Sequence, residues 1–159
     1  MPVQVPLVVG DNPYPQHAYV DREFIKNAVA VTKGNIMTLD AAGRLIAVVG
    51  AVAIADLTRG AMQALVTVAA PTAEDTDEVQ VLKQRSRIIL KANVNLSPGD
   101  GVELLTVAGT VTPDKVALSV SPRSNGYLGK IFQILTQGVD GVKKQFTADN
   151  DLVIVDLEV

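Results

Sequence analysis

The sequence has no cysteine, no tryptophan and a single histidine, and aromatic residues make up only 4% of its 159 residues. Without cysteine, neither a disulfide framework nor a thiolate metal site can form. The one histidine, His17, lies in a proline-rich stretch, so a catalytic triad would take its base from an extended segment. These absences predict a protein that is not an enzyme and that has no catalytic residues, cofactor or metal ion.

The sequence also lacks long apolar runs and a strong excess of charge. Its best apolar window, residues 45–55, is shorter than the roughly 18 residues that a membrane-spanning helix needs. The N-terminus lacks the basic start and apolar run of a signal peptide. A formal net charge of -3 gives no general attraction for nucleic acid. We therefore expect neither a membrane nor a nucleic acid as partner.

What the sequence has is aliphatic residues: 48% of it is hydrophobic, mainly valine, alanine, leucine and isoleucine. Many short segments alternate apolar and polar residues between turn residues, a pattern typical of β-strands. The alanine-rich segment 50–60 alone permits one short helix. The fold class predicted is therefore all-β. The predicted strands are 27–32, 33–40, 44–49, 61–68, 78–83, 85–92, 101–107, 108–112, 115–120, 126–135, 144–147 and 151–159.

Two segments of the chain resemble each other in spacing. Residues 33–45 and 98–111 both read glycine, polar residue, short apolar strand, Ala-Gly and second strand. In each case another glycine opens a strand 17 residues after the Ala-Gly glycine, at Gly60 and Gly126. The spacing predicts two duplicated β units, at about 27–92 and 93–159, within a single β domain at 25–159.

The Pro98-Gly99-Asp100-Gly101 stretch admits two interpretations, a tight turn or half of a phosphate-binding loop. A phosphate loop requires a helix directly after its glycines. The residues that follow favour a hairpin. Proline also sets φ at the first central turn position, and glycine accepts a positive φ. The stretch therefore predicts a turn that begins a strand.

Residues 1–24 form a predicted extended N-terminal arm. Four of the eight prolines fall in its first fifteen positions, and proline is poorly suited to a sheet interior. The arm is also rich in aromatic residues, which either contact a partner or another subunit or pack on the protein's own core. The candidate contact residues are Val3, Val5, Tyr14, His17, Tyr19 and Phe24.

A basic stripe follows an acidic run in the middle of the chain. Spacings of two and four residues place the basic side chains on one face of a strand. No aromatic residues are interleaved for base stacking, so ion pairs within or between subunits are favoured over a phosphate backbone as their partner. The basic residues are Lys83, Arg85, Arg87 and Lys91, and the acidic residues are Glu74, Asp75, Asp77 and Glu78.

The arrangement of arm, repeats and terminal strand resembles the small capsid decoration (cement) proteins of tailed viruses, the bacteriophages among them. Four segments carry the resemblance: residues 33–45, 98–111, 126–131 and 152–157. It implies a small β-barrel or β-tulip-like body that forms a homotrimer on the outer capsid surface of the virion. The arm would then contact the major capsid protein. A non-viral β-sandwich binding or adaptor module is the alternative, and a small hydrolase is a less favoured one.

Overall fold

The computed structural model describes residues 7–14, 20–24, 32–39, 45–48, 65–67, 78–82, 86–119 and 126–158. These ranges contain ten β-strands and one short 3-10 turn, Val139–Gly141. The strands are β1 Val20–Phe24, β2 Ile36–Leu39, β3 Leu45–Ala47, β4 Leu65–Thr67, β5 Glu78–Leu82, β6 Arg87–Ala92, β7 Gly101–Val107, β8 Thr110–Leu118, β9 Tyr127–Ile134 and β10 Leu152–Leu157. The segment 50–60, where a helix was allowed, lies outside the described residues.

The strands form two sheets. The first, which we call the N-terminal sheet, has the order β1-β5-β4-β2-β3, and all of its pairs are antiparallel. The second closes on itself as a five-stranded barrel in the order β10-β6-β8-β7-β9. Its only parallel pair within the described residues joins β6 to β8. The prediction of an all-β protein with a barrel-like body is therefore confirmed.

The two sheets have the same strand order. Counted from β6, the barrel runs β6-β10-β9-β7-β8, which repeats the order first-fifth-fourth-second-third of the N-terminal sheet. The two units meet between Leu82 and Arg87, whereas the sequence placed the division at 92/93. The difference concerns β6, which hydrogen-bonds to β10 and β8 and so belongs to the second unit.

One hydrophobic cluster joins the barrel to the N-terminal sheet. On β10, Val153, Val155 and Leu157 point into the barrel and are almost fully buried. The cluster continues to Ile36 and Leu82 of the N-terminal sheet, which are equally buried. Each such side chain contributes roughly 1.5–3 kcal/mol through burial, so the shared core stabilises both sheets.

A four-residue turn recurs four times in the described residues. Its third residue has a positive φ, as a type II turn requires, and its fourth is Asp or Asn. The side chain of the fourth residue accepts a hydrogen bond from the N–H of the first, over 2.8 to 3.0 Å. The turns span residues 8–11, 32–35, 97–100 and 148–151. The last three directly precede β2, β7 and β10, so the turn that contains Pro98-Gly99 begins a strand as predicted.

Two sequence predictions are corrected. Residues 144–147 are a loop that presents the Phe146 side chain to solvent, where a strand was predicted. Parts of the predicted segments 108–112 and 115–120 form one strand, β8 Thr110–Leu118, which runs through Pro113 because the β7–β8 register shifts between Leu104 and Thr106. Within the described residues, the end of the predicted arm, Val20–Phe24, forms strand β1 and pairs with β5.

Candidate functional site: an arm segment docked on the barrel

The segment 7–14 of the predicted arm, called here the docked arm segment, lies along the edge of β6. The Gly10 N–H donates to the Ile89 carbonyl over 2.8 Å, and the Ile89 N–H donates to the Asp11 carbonyl over 3.0 Å. Further along β6, Lys91 and Ala92 pair with β8 instead. The arm therefore covers the part of the β6 edge that β8 leaves open, and covered edges resist unwanted strand pairing.

The same pair of hydrogen bonds recurs inside the barrel. In the turn 97–100, the Gly99 N–H donates to the carbonyl of Ile131 on β9, and the Ile131 N–H donates to the Asp100 carbonyl. In the turn 148–151, the Asn150 N–H donates to the carbonyl of Ala92 on β6, and the Ala92 N–H donates to the Asp151 carbonyl. In both cases the turn begins a strand that continues along its neighbour. The docked arm segment therefore contacts β6 through the same pair of backbone hydrogen bonds that the turns before β7 and β10 make with their neighbouring strands.

Close packing holds the docked arm segment against the N-terminal sheet as well. A Cβ on Gly10 would lie 2.6 Å from the Gly34 nitrogen, so the two turns approach closely only because both carry glycine here. The Lys33 ammonium forms an ion pair with the Asp11 carboxylate. The arm therefore links the barrel to the turn that precedes β2.

A partly exposed cluster of four side chains joins the last residue of the docked arm segment to the barrel, and we call it the Arg87 cluster. It consists of Tyr14, Arg87, Phe132 and Asp156. The Arg87 guanidinium carbon lies 3.7 Å from the Phe132 ring centroid and 4.8 Å from that of Tyr14. The two rings meet edge to face at 86°, with their centroids 6.0 Å apart. Arg87 Nε donates to Asp156 Oδ1 over 2.6 Å.

The chemistry of the Arg87 cluster suits contact with a macromolecule. Each cation–π contact contributes about 0.5–2 kcal/mol, depending on its burial, and fixes the plane of the guanidinium. Phe132 remains 40% exposed and Arg87 keeps 29% of its side chain exposed, so both are accessible on the outer face of the barrel. Aromatic residues and arginine dominate the energy of many protein interfaces.

The structure brings together two residues that the sequence proposed separately, Tyr14 of the arm and Arg87 of the basic stripe. The sequence reasoning missed Phe132 and Asp156. The only signal for Phe132 was its aromatic side chain. Alternation does not mark it as outward, because Leu128 and Ile134, which share its phase in the strand, are buried. No comparable signal marked Asp156, because a single acidic residue in an apolar strand has many structural roles.

The basic stripe has partners within the chain. Arg87 pairs with Asp156, and Lys91 pairs with Asp114 over 3.2 Å, so neither depends on the acidic run. Glu78 begins β5 opposite Phe24 of β1. The remaining candidates, Val3, Val5, His17, Tyr19, Glu74, Asp75, Asp77, Lys83 and Arg85, lie outside the described residues.

Other features of the described residues offer less chemistry. No three His, Asp or Glu side chains converge there in an arrangement that suits a metal ion. In the same ranges, no helix has the length and apolar character needed to cross a membrane. A shallow cavity of about 210 Å³ is lined by Gln133, Thr136 and Lys143, among others. Ligand pockets usually enclose about 300–1,000 Å³.

Tyr127, the first residue of β9, is partly buried, and its hydroxyl oxygen is enclosed by the protein. Burial and the neighbouring Glu158 carboxylate raise the pKa of Tyr127 to about 12. Its ring packs against Gly101, where an added Cβ would lie 2.9 Å from the ring.

Comparisons of the chain with protein-family models, curated proteins and solved structures yield no match.

Proposed function

We propose that this chain is a structural virion protein that binds the outer surface of a viral capsid as a homotrimer and stabilises the shell. Its partners would be the major capsid protein and further copies of itself, with no role for nucleic acid or membrane. The observation that carries the proposal is the Arg87 cluster, an accessible arginine–aromatic surface on a closed barrel. The resemblance of four sequence segments to capsid decoration proteins supplies the kind of partner.

The barrel and docked arm suit such a role physically. A protein that reinforces a shell acts through many copies, so modest contacts repeated over the lattice add up to a large stabilisation. A closed barrel with a covered β6 edge presents a rigid surface, and rigid surfaces lose little entropy on binding. Three residues of the Arg87 cluster, Arg87, Phe132 and Asp156, lie on strands β6, β9 and β10, and β10 pairs with both of the other strands.

The direct test is binding to undecorated capsids assembled from the major capsid protein encoded in the same genome. Purified protein and capsids are mixed and sedimented, and the bound fraction is measured against protein concentration. We expect saturable binding and a higher temperature of capsid disruption. Failure of a folded trimer to bind any such capsid would overturn the proposal and favour the adaptor alternative.

Variants then locate the contact. Phe132→Ala should weaken capsid binding at least tenfold, because truncating a central aromatic contact commonly costs more than about 1.4 kcal/mol. Val107→Ala is the matched control, since Val107 is 63% exposed on the β7–β8 hairpin and lies outside the cluster. Thermal unfolding of both variants checks that the folded state is intact. Equal binding by the two variants would remove the Arg87 cluster from the interface.

A further inference from the structure

The N-terminal sheet ends in two strands, β1 and β3, that occupy opposite edges. In the part of the chain that the structure describes, β1 pairs with β5 alone and β3 with β2 alone. Each therefore presents one row of backbone N–H and C=O groups away from its neighbour. Such rows are templates for pairing with another strand, and folded proteins normally cover them.

The barrel shows which strands these two edges complement. By position in the unit, β1 corresponds to β6 and β3 corresponds to β8. In the barrel those two strands pair in parallel, Lys91 opposite Lys115 and Ala92 opposite Val116, and this pairing closes the ring. The four other pairs of the barrel all have antiparallel counterparts in the N-terminal sheet. A β1–β3 pair would be the counterpart of the β6–β8 pair, and it is the one pair of the barrel that has no counterpart among the described strands of the N-terminal sheet.

We propose that β3 of one subunit pairs in parallel with β1 of the next subunit, so that the N-terminal sheets of the trimer join edge to edge around its three-fold axis. The occupant of each edge is therefore a second copy of this chain. The inference rests on the homotrimer of the proposed function and names the surface that forms it.

The symmetry of the contact supports a closed ring. A two-fold dimer uses the same patch on both subunits, whereas β1 and β3 are different edges of one sheet. Pairing one with the other is a head-to-tail contact, and head-to-tail contacts close into rings when the rotation between subunits permits. Main-chain pairing of this kind provides affinity without a large apolar patch.

Cysteine cross-linking tests the proposal cleanly, since the natural chain contains no cysteine. Arg22→Cys places a thiol in the middle of β1, and Ile46→Cys places one in the middle of β3. The two single variants, one carrying a size tag, are co-expressed and treated with a short bismaleimide. We expect a mixed-chain conjugate as the main product, and a ladder that ends at trimer for the double variant.

The controls separate failure of this inference from failure of the proposed function. The pair Arg22→Cys and Lys130→Cys is the matched control, because Lys130 is exposed on the barrel strand β9 and should give little mixed conjugate. A trimer by light scattering whose double variant links only within one chain, or not at all, overturns the edge-to-edge contact and leaves the trimer intact. A protein that stays monomeric by light scattering overturns the edge-to-edge contact, whereas the proposed function is overturned only by failure to bind capsids.

Discussion

Gly129 is the residue at which the barrel has least room. It lies opposite Leu157 in the β9–β10 ladder with φ +155°, and a Cβ added there would stand 1.8 Å from the carbonyl oxygen of Asp156. That oxygen belongs to backbone, so it cannot move aside as a flexible side chain would. Only glycine allows β9 and β10 to approach closely enough to pair.

Replacing Gly129 by alanine should therefore destabilise the protein by at least about 3 kcal/mol, the upper part of the range for overpacking. Urea unfolding followed by circular dichroism measures the loss. Gly99→Ala is the control, since Gly99 also has a positive φ but no atom within 4 Å of an added Cβ. It should lose only the strain of a left-handed residue, about 1–2 kcal/mol. Equal losses in the two variants would contradict the close approach.

Asp11 couples pH to the docking of the arm. Burial by itself raises the pKa of Asp11, but the ion pair with Lys33 and the hydrogen bond from the Val8 N–H outweigh it, so the pKa lies below its ordinary value of 3.8. A carboxyl group with a lowered pKa stabilises the folded state above its unfolded pKa. That stabilisation is lost as the pH falls through the folded value.

Asp11→Asn isolates the ion pair. Asparagine can still accept the hydrogen bond from Val8, as Asn35 does from Thr32 in the matching turn. At pH 7 the variant should be less stable than the natural protein by up to about 1 kcal/mol, a typical magnitude for a partly exposed pair. Urea unfolding should show the difference shrinking as the pH falls below about 4. A difference of the same size at pH 2.5 would mean that packing, rather than charge, is responsible.

At the scale of elements, the docked arm segment is a structural part of the barrel as well as a surface feature. It satisfies both backbone groups of Ile89, whose side chain is fully buried although its neighbours Arg87 and Lys91 are partly exposed. The sequence left two interpretations of the arm, and the packing of Tyr14 on Phe132 favours contact with the protein's own body for this residue. The accessible faces of the same side chains are the ones proposed to meet the capsid.

Deleting residues 1–14 should consequently weaken the barrel along the β6 edge. Without the arm, the Ile89 N–H loses its acceptor on Asp11 and exchanges faster with solvent. The Leu90 amide is the internal control, because it belongs to the β6–β10 ladder, which the deletion leaves in place. Hydrogen exchange followed by NMR gives the comparison. Unchanged protection of Ile89 would show that the arm contributes nothing to this edge.

At the scale of the whole molecule, the described strands form one closed and one open sheet that share the same strand order. Within the described residues the open sheet has two different edges, β1 and β3, and two different edges are what a head-to-tail ring requires. The Arg87 cluster lies on the barrel, so assembly and capsid contact would use different units of the chain.

The mass of the purified protein in solution tests this view of the molecule. Light scattering should give about three times the chain mass of 16.8 kDa. Dilution should lower the mass only at concentrations near the dissociation constant, as for any oligomer held by mass action. A mass that stays at one chain over all accessible concentrations would contradict a trimer that forms before capsid binding.

Much of the fold could be predicted from the sequence because it depends on local chemistry. Alternating aliphatic residues define strands such as β7, in which Val102 and Leu104 are buried. The Ser97–Asp100 turn forms from its own residues, since the Asp100 carboxylate accepts a hydrogen bond from the Ser97 N–H. The prediction ended one strand at 112 and began another at 115, whereas β8 continues through Pro113, because whether proline interrupts a strand depends on the register of the partner strand. The predicted strand at 144–147 is a loop for a related reason, because an alternating segment forms a strand only where a neighbouring strand has an unpaired edge.

The sequence by itself determined the all-β class, the strand-starting turns and the two related segments, since each follows from interactions over a few residues. Only the tertiary structure decided that β6 belongs to the second unit, that the arm lies on Ile89, and that Tyr14, Arg87, Phe132 and Asp156 meet. These contacts join residues as far apart in sequence as Tyr14 and Phe132. Such partners are chosen by which strand edges and buried faces remain to be covered once the sheets form, and that competition is a property of the whole chain.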